Sequence, residues 1–229
     1  MLVNISNGAI NLSFVKSIRI LGGWVQAFQS HLFKVYSWPM QSDPSTGFLS
    51  IKSILKLDAN WSKRLRMTPS RQFWFRVAAF LAHSGDSWFW LAGLGLIWLF
   101  IPTEWHTKSA LLAIGILVLA PVVLGIKFTI RRQRPPGEWG AIYRNTDPHS
   151  FPSGHAARSA MLAVLAIGLG PAWFGWLVLI WAPMVSLARV VTGVHYLSDV
   201  IVGMVFGGIA GLCLLAISPL LISLFPFIF

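Results

Sequence analysis

The chain alternates between long apolar runs and short basic segments. Each apolar run approaches the roughly 20 residues that a helix needs to cross the hydrocarbon core of a bilayer. The runs cover 87–106, 109–127, 156–170, 172–189 and 199 to about 224. The pattern predicts an all-α fold, a polytopic transmembrane helical bundle with five spans.

The first 84 residues have a different pattern. Apolar residues recur at steps of three and four between Ile10 and Leu32, which is the spacing of one helical face, but Lys16, Arg19 and Lys34 interrupt it. Residues 50–83 are likewise dense in Lys, Arg and aromatic residues. These stretches predict amphipathic helices at the membrane interface, with packing against the rest of the protein or a sixth span as the alternatives.

The predicted organisation is therefore two-part. Residues 1–84 form a basic interfacial segment, and residues 85–229 form a transmembrane catalytic domain. With five spans, the N-terminal segment and the loop at 128–155 lie on the same side, which the positive-inside rule places in the cytoplasm. A sixth span would move that loop to the outer face.

Composition and charge narrow the class of protein. Hydrophobic residues make up 55% and charged residues 11% of the chain, which excludes an ordinary soluble domain. Lys and Arg outnumber Asp and Glu by 18 to 7, for a net charge of +11. In so apolar a chain, this excess favours lipid headgroups and a phosphate-bearing substrate as partners over nucleic acid.

Three polar clusters interrupt the apolar pattern. The first follows the second run, where Lys127, Arg131 and Arg134 would share one face if the helix continued, and Pro135 would end it. The second is the Pro-Ser-Gly turn formed by Pro152, Ser153 and Gly154, which precedes His155. Such a turn at a helix N-terminus binds anions, and His155 could donate a proton there.

The third cluster joins the fourth and fifth runs. His195 and Asp199 are four residues apart, so on a helix the carboxylate could accept the imidazole N–H and leave the other ring nitrogen as a nucleophile. Arg189 could grip phosphate oxygens in a bidentate manner. Taken singly, each of these residues is more often a loop charge, a structural histidine or a helix cap. Their occurrence together, at the same ends of consecutive spans, favours a site.

These clusters resemble the signature motifs of the type 2 phosphatidic acid phosphatase superfamily in residue type, spacing and order. The matching residues are Lys127, Arg134 and Pro135, then the run from Pro152 to His155, then Ser186, Arg189, His195 and Asp199. The resemblance covers residues 85–220 and implies a helical bundle whose pocket gathers the three motifs. It also implies an integral protein of a bacterial inner membrane.

The resemblance further implies the role of each residue. Phosphate would be bound by Lys127, Arg134, Arg189, the Ser153 hydroxyl and the Gly154 amide. His195 would attack phosphorus, Asp199 would orient it, and His155 would protonate the leaving oxygen. No metal and no cofactor are expected.

Substrate and reaction class remain open between several alternatives. Phosphatidylglycerophosphate, phosphatidic acid, a polyprenyl diphosphate and a lipid A phosphate all fit a pocket at the bilayer edge. A phosphotransferase would use the same histidine, while a vanadium haloperoxidase is disfavoured by the apolar spans. A transporter or a non-catalytic scaffold is disfavoured because every motif residue is present.

Overall fold

The structure is a computed structural model that describes residues 50–67, 72–101, 104–136 and 147–229. The helix predicted between Ile10 and Leu32 lies outside them. The described residues form seven α-helices, and they all belong to one compact unit. The helices are α1 (Ile51–Leu65), α2 (Gln72–Ser84), α3 (Ser87–Phe100), α4 (Glu104–Ile130), α5 (Gly154–Leu169), α6 (Ala172–Val191) and α7 (Leu197–Leu224).

The all-α class is confirmed for this part of the chain. Among the described helices, α4, α6 and α7 are long and apolar enough to cross a membrane. The helices α3 and α5 are apolar but shorter, with 14 and 16 residues. The predicted first span, 87–106, is wrong at its end, because the helix stops at Phe100 and Glu104 already begins α4. The five-span topology stays a prediction.

The outside of the bundle is apolar. Large hydrophobic side chains on the membrane-length helices are more than half exposed, among them Leu117 and Val118 on α4, Trp176 on α6 and Leu212 on α7. Exposure of these side chains to water would be unfavourable, because apolar surface is stabilised when it is removed from water. Lipid tails can surround them without this cost. The apolar excess in the composition therefore covers the surface as well as the core.

Close backbone packing between α5 and α7 holds the centre of the bundle together. Gly203, Gly207 and Gly211 are spaced four residues apart on α7 and face α5, as in small-residue helix interfaces of membrane proteins. A Cβ on Gly207 would lie 1.8 Å from the carbonyl oxygen of Ala157, and one on Gly203 would lie 2.6 Å from that of Ser153. Only glycine permits this approach, which sets the start of α5 against the first turns of α7.

The amphipathic helix α1 docks at the N-terminal end of α7. Ser62, which is buried, accepts the Leu197 N–H at 2.8 Å, and the Asp58 carboxylate accepts the Ser198 N–H at 3.0 Å. Beyond Arg66, the backbone N–H of Met67 donates to the carbonyl of Val191. The single helical stretch predicted over 50–83 is thus divided into α1 and α2, and α1 caps the turn between α6 and α7.

The glycine contact yields a test of the α5–α7 packing. Gly207→Ala should lower the midpoint of thermal unfolding in detergent, because overpacking of this kind costs about 1–3 kcal/mol. The matched control is Gly208→Ala, whose Cβ would meet nothing within 4 Å. Since alanine favours a helix by about 1 kcal/mol over glycine, the control should be unchanged or more stable. Equal unfolding midpoints for the two variants would contradict this account of the interface.

Candidate active site

The first motif is divided between a helix and a loop. The α4 helix ends at Ile130, where Arg131 takes a left-handed backbone conformation with φ of 54°. The expected continuation of the helix to Arg134 is therefore wrong. Arg131 is exposed and its Nε donates to the Phe128 carbonyl, so it lies apart from the other motif residues. The chain turns back instead, and Gln133 pairs with His149 in an isolated β-bridge.

This reversal brings two buried cations to one anionic oxygen. The Lys127 ammonium bonds to the Asp147 carboxylate, and the Arg134 guanidinium donates to the same oxygen at 2.7 Å. Arg134 also donates through Nε to the Asp147 carbonyl at 2.7 Å. Lys127 and Arg134 are only 4% and 5% exposed. They present converging donors to an oxygen anion, which is the arrangement that phosphate recognition requires.

The nucleophile candidate is held by the turn that ends α6. Gly193 has φ of 75° and closes the helix, and a Cβ there would lie 2.5 Å from Nε of Arg66. The Arg189 carbonyl then accepts the backbone N–H groups of Val194 and His195. The His195 ring is 1% exposed, and its Nε2 lies 3.2 Å from NH1 of Arg134. Because guanidinium can only donate, Nε2 carries the lone pair.

The other ring nitrogen of His195 faces Asp199. Nδ1 lies 3.5 Å from Oδ2 of Asp199, which is longer than the usual hydrogen bond of about 2.7–3.2 Å. Asp199 is the third residue of α7, and its Oδ2 accepts the Tyr196 N–H at 2.9 Å. Its Oδ1 accepts from Arg132 at 2.7 Å. The carboxylate is thus fixed by α7 and by Arg132, beside the imidazole.

Arg132 joins this carboxylate to α1. One guanidinium nitrogen, NH1, bonds to Asp199 and to the Ser198 hydroxyl, and the other, NH2, bonds to Asp58 at 2.6 Å. The guanidinium also lies 4.1 Å from the centre of the Tyr196 ring. The planar fork of the guanidinium allows one side chain to bond both carboxylates at once. Arg132, which was not a predicted site residue, therefore links α1 to the His195 and Asp199 pair.

The electrostatic environment keeps His195 neutral. Burial lowers the pKa of His195 well below its usual 6.5, and the positive charges of Arg134, Arg189 and Lys127 lower it further. A hydrogen bond with the Ser150 backbone acts in the opposite direction without reversing the shift. At neutral pH the imidazole therefore has its lone pair available, as a nucleophile must.

The second motif is fixed to the third through the first turn of α5. Ser153 is the N-cap of α5, where its hydroxyl accepts the Ala156 N–H. The Ser153 N–H donates to the Asp199 carbonyl at 2.9 Å. This bond places the amide end of α5, with Gly154 and His155, next to the residues that hold His195.

Six of the eight predicted site residues are buried, and the other two are partly buried. The buried ones are Lys127, Arg134, Ser153, Arg189, His195 and Asp199. Gly154 and His155 are the partly buried pair. The predicted residues therefore gather at one end of the bundle, where three cations, two histidines and a carboxylate lie together.

Three carboxylates at this end of the bundle were not identified from the sequence. Asp58 bonds Arg132, Asp86 bonds His155 at 2.6 Å, and Asp147 bonds Lys127 and Arg134. The sequence feature that could have pointed to them is the scarcity of acidic residues, since the whole chain contains only seven. In a chain with 18 Lys and Arg, an acidic residue close to a basic motif is a candidate counter-charge.

A family model and curated relatives match this chain. The model of the PAP2 superfamily matches residues 108–222. The decaprenylphosphoryl-5-phosphoribose phosphatase of Mycobacterium tuberculosis is 37% identical over 140 residues, which cover 57% of this chain and 73% of that protein. The undecaprenyl-diphosphatase of Sulfolobus acidocaldarius is 31% identical over 137 residues, or 57% of this chain and 64% of that protein.

Two solved structures share the fold. The PAP2-type phosphatidylglycerolphosphate phosphatase from Bacillus subtilis superposes with a TM-score of 0.57 and 19% identity, covering 85% of this chain and 92% of that one. LpxE from Aquifex aeolicus gives a TM-score of 0.52 and 22% identity, with coverages of 72% and 94%.

The fold and the site define an integral membrane enzyme of the phosphatase class. The chain belongs to the PAP2 superfamily.

The Arg132 link can be tested by substitution. Arg132→Gln should lower kcat roughly ten- to a hundredfold, because a hydrogen bond to a charged group is worth about 1.5–3 kcal/mol and Asp199 would lose one. KM should change less, because Arg132 is not one of the residues, such as Lys127 and Arg134, whose donors converge where phosphate would bind. The matched control, Arg131→Gln, removes an exposed neighbour and should leave both constants unchanged. Phosphate release in detergent measures both, and wild-type kcat in Arg132→Gln would contradict the assignment.

Proposed function

We propose that the protein is a lipid phosphatase of the bacterial inner membrane that works without a metal, through a phosphohistidine on His195. The observation that carries the proposal is the Nε2 atom of His195, a neutral nucleophile held beside buried cations. Phosphoryl transfer needs a nucleophile with a free lone pair next to cations that bind the phosphate oxygens. Few other reactions need guanidinium and ammonium donors around such a lone pair.

In the first step, the phosphate of the substrate binds Lys127, Arg134 and Arg189, with the Asp147 carboxylate displaced from the first two. The Ser153 hydroxyl and the Gly154 amide donate to the remaining oxygens. The Nε2 lone pair of His195 attacks phosphorus, and the bond between phosphorus and the lipid oxygen breaks. That oxygen takes a proton from His155 and leaves as an alcohol or as a lipid phosphate.

In the second step, His155 reverses its role. A water molecule attacks phosphorus and gives a proton to the neutral His155, while the bond between Nε2 and phosphorus breaks. Inorganic phosphate then leaves, and both histidines return to their starting protonation states. Throughout, the Asp199 carboxylate faces the Nδ1–H of His195 and stabilises the charge that develops on the ring.

A cavity beside the site supports a lipid as the substrate. It has a volume of about 690 Å³ and lies between α3, α6 and the start of α4, with Trp90, Leu94, Trp105 and Trp181 in its wall. It begins at Ser84, two residues from Asp86, which contacts His155. Its apolar wall suits a hydrocarbon chain whose phosphate lies at the site, and its volume is typical of ligand pockets.

The chemical class of the lipid is open between the candidates that the sequence suggested. The two curated relatives described above are a decaprenylphosphoryl-5-phosphoribose phosphatase and an undecaprenyl-diphosphatase, so we place a polyprenyl phosphate or diphosphate first. Phosphatidylglycerophosphate, phosphatidic acid and lipid A follow. Transfer of the phosphoryl group to a second lipid instead of water is the alternative reaction, because only the acceptor differs.

Phosphate release tests the proposed function directly. The purified protein in detergent with EDTA should release phosphate from at least one of these lipids, and orthovanadate should inhibit as a phosphate mimic. His195→Ala should abolish release while leaving the unfolding midpoint within a few degrees of wild type. Activity that survives in His195→Ala would sink the nucleophile assignment, and loss under EDTA would sink the metal-free mechanism. A wild type that releases phosphate only when a second lipid is added would favour the phosphotransferase.

The cavity is tested with a matched pair on α3. Gly93 lines the cavity, and a Cβ there meets nothing within 4 Å, so Gly93→Phe fills the space without straining the helix. It should lower kcat/KM for the lipid by at least about tenfold, since each buried methylene contributes about 0.8 kcal/mol. Activity on water-soluble p-nitrophenyl phosphate should be unchanged. Gly95→Phe, equally open but outside the cavity wall, should affect neither. A lipid-specific loss in both variants would argue against the cavity.

A further inference from the structure

The turn between α2 and α3 makes a direct contact with the predicted general acid. Oδ1 of Asp86 lies 2.6 Å from Nε2 of His155, and Oδ2 lies 3.1 Å from Nδ1 of His83. One carboxylate therefore joins a partly buried histidine of the site to an exposed histidine in the last turn of α2. The turn precedes residues 108–222, the part of the chain that matches the family.

Independent contacts fix this turn against α5 and α6. Arg158, one helical turn beyond His155, donates to the Gly85 carbonyl. A Cβ on Gly85 would lie 2.8 Å from Cγ1 of Val185 and 3.3 Å from Cδ2 of His155, so the turn packs directly on the imidazole ring. The indole N–H of Trp181 donates to the Ser84 hydroxyl at 2.9 Å. The position of the Asp86 carboxylate is thus built by the fold.

The carboxylate is bonded to histidines and not to the backbone of its own helix. Asp86 is the N-cap residue of α3, yet its side chain makes no capping hydrogen bond. Burial favours the neutral carboxyl, but the hydrogen bonds and charges of His155 and His83 outweigh it and lower the pKa of Asp86 from 3.8 to about 2. Asp86 is therefore an anion at any working pH, and its partner is the imidazole of His155.

We propose that Asp86 is the positioning residue of the general acid. It accepts the Nε2–H of His155, which leaves the Nδ1–H to protonate the leaving oxygen, and its negative charge favours the imidazolium form. The inference rests on the proposed function. His155 needs this support because two cations face it, Arg158 on its own helix and Arg189 on α6. The proton that reaches the leaving oxygen comes from Nδ1, and water returns it in the second step.

The first test compares two leaving groups. Asp86→Asn should lower kcat/KM for the lipid substrate about a hundredfold, within the range of about 10²–10⁴ that general acid catalysis supplies. The lipid substrate for this test is a phosphomonoester, which releases a strongly basic alkoxide oxygen. p-Nitrophenyl phosphate releases a far less basic oxygen that needs little protonation, so its loss should be only a few-fold. Equal losses on the two substrates, or none, would overturn the proposal. Asparagine caps helices as well as aspartate does, and Asp86→Ser provides a second uncharged cap residue with the same expectation.

The second test uses the pH profile and a control of opposite sign. The charged groups around His155 are Asp86 on the turn, Arg158 on α5 and Arg189 on α6, and His83 at the end of α2 bonds the other oxygen of Asp86. Without the Asp86 charge the imidazolium loses its proton more readily, so the alkaline limb of kcat/KM should move to lower pH by about one unit. Arg158→Gln also loosens the turn, but it removes a positive charge and should move the limb to higher pH.

The two variants separate catalysis from structure. If the turn only holds the helices together, Asp86→Asn and Arg158→Gln should shift the alkaline limb of kcat/KM in the same direction or not at all. Either result would contradict the proposal. The wild type and His195→Ala, assayed in parallel, report on the proposed function itself. Wild-type release that depends on His195 but is indifferent to Asp86 refutes only this inference. No release from the wild type refutes the function instead.

Discussion

The burial of several positive charges in one pocket is the constraint on which the rest of the site depends. Lys127, Arg134 and Arg189 are each no more than 5% exposed, and like charges cannot be buried together without compensation. Of the five acidic residues in the described part of the chain, four lie at this end of the bundle, and each bonds a cation or a histidine there. They are Asp58, Asp86, Asp147 and Asp199. The acidic residues, so few in this chain, thus define where the cations can be held.

The pairing of buried cations with carboxylates depends on helix ends that are distant in the chain but lie close together in the fold. The α5 and α7 backbones come into contact at Gly203 and Gly207, which places the Pro-Ser-Gly turn beside the first turn of α7. The α6 C-terminus holds the His195 backbone, and α1 supplies Asp58 from more than 70 residues before Arg132. No single motif forms a site alone. The site exists only when five separate segments are packed together, so its geometry reports on the whole fold.

The sequence predicted the residues of the candidate site better than their surroundings. Apolar run length located the helices, and the charged residues, the two histidines and the Pro-Ser-Gly turn located every predicted site residue that the structure brings together. The boundary at Phe100 was missed because the apolar pattern continues through the break before α4. The reversal of the chain between Arg131 and Arg134 was missed, because residue spacing alone does not reveal the left-handed backbone conformation of Arg131 that ends the helix.

The counter-charges were harder to predict for a different physical reason. Asp58, Asp86 and Asp147 belong to no periodic pattern, and each pairs with a residue 13 to 74 positions away. Pairing at such distances is decided by tertiary packing, which local spacing does not encode. A carboxylate can be recognised from sequence as scarce, but its partner is known only once the helices are in place.

The outer face of α1 has a consequence for how the enzyme responds to ionic strength. Lys52, Lys56, Lys63 and Arg64 are exposed there, and the described acidic residues nearby point inward. Exposed charges are screened at about 10 Å in 0.1 M salt, whereas buried pairs are screened far less. Added salt should therefore weaken the attraction between these exposed basic side chains and anionic lipid headgroups. It should have little effect on the rate of the chemical step. Salt thus acts on the exposed charges of α1 far more than on the buried ion pairs that hold the site together.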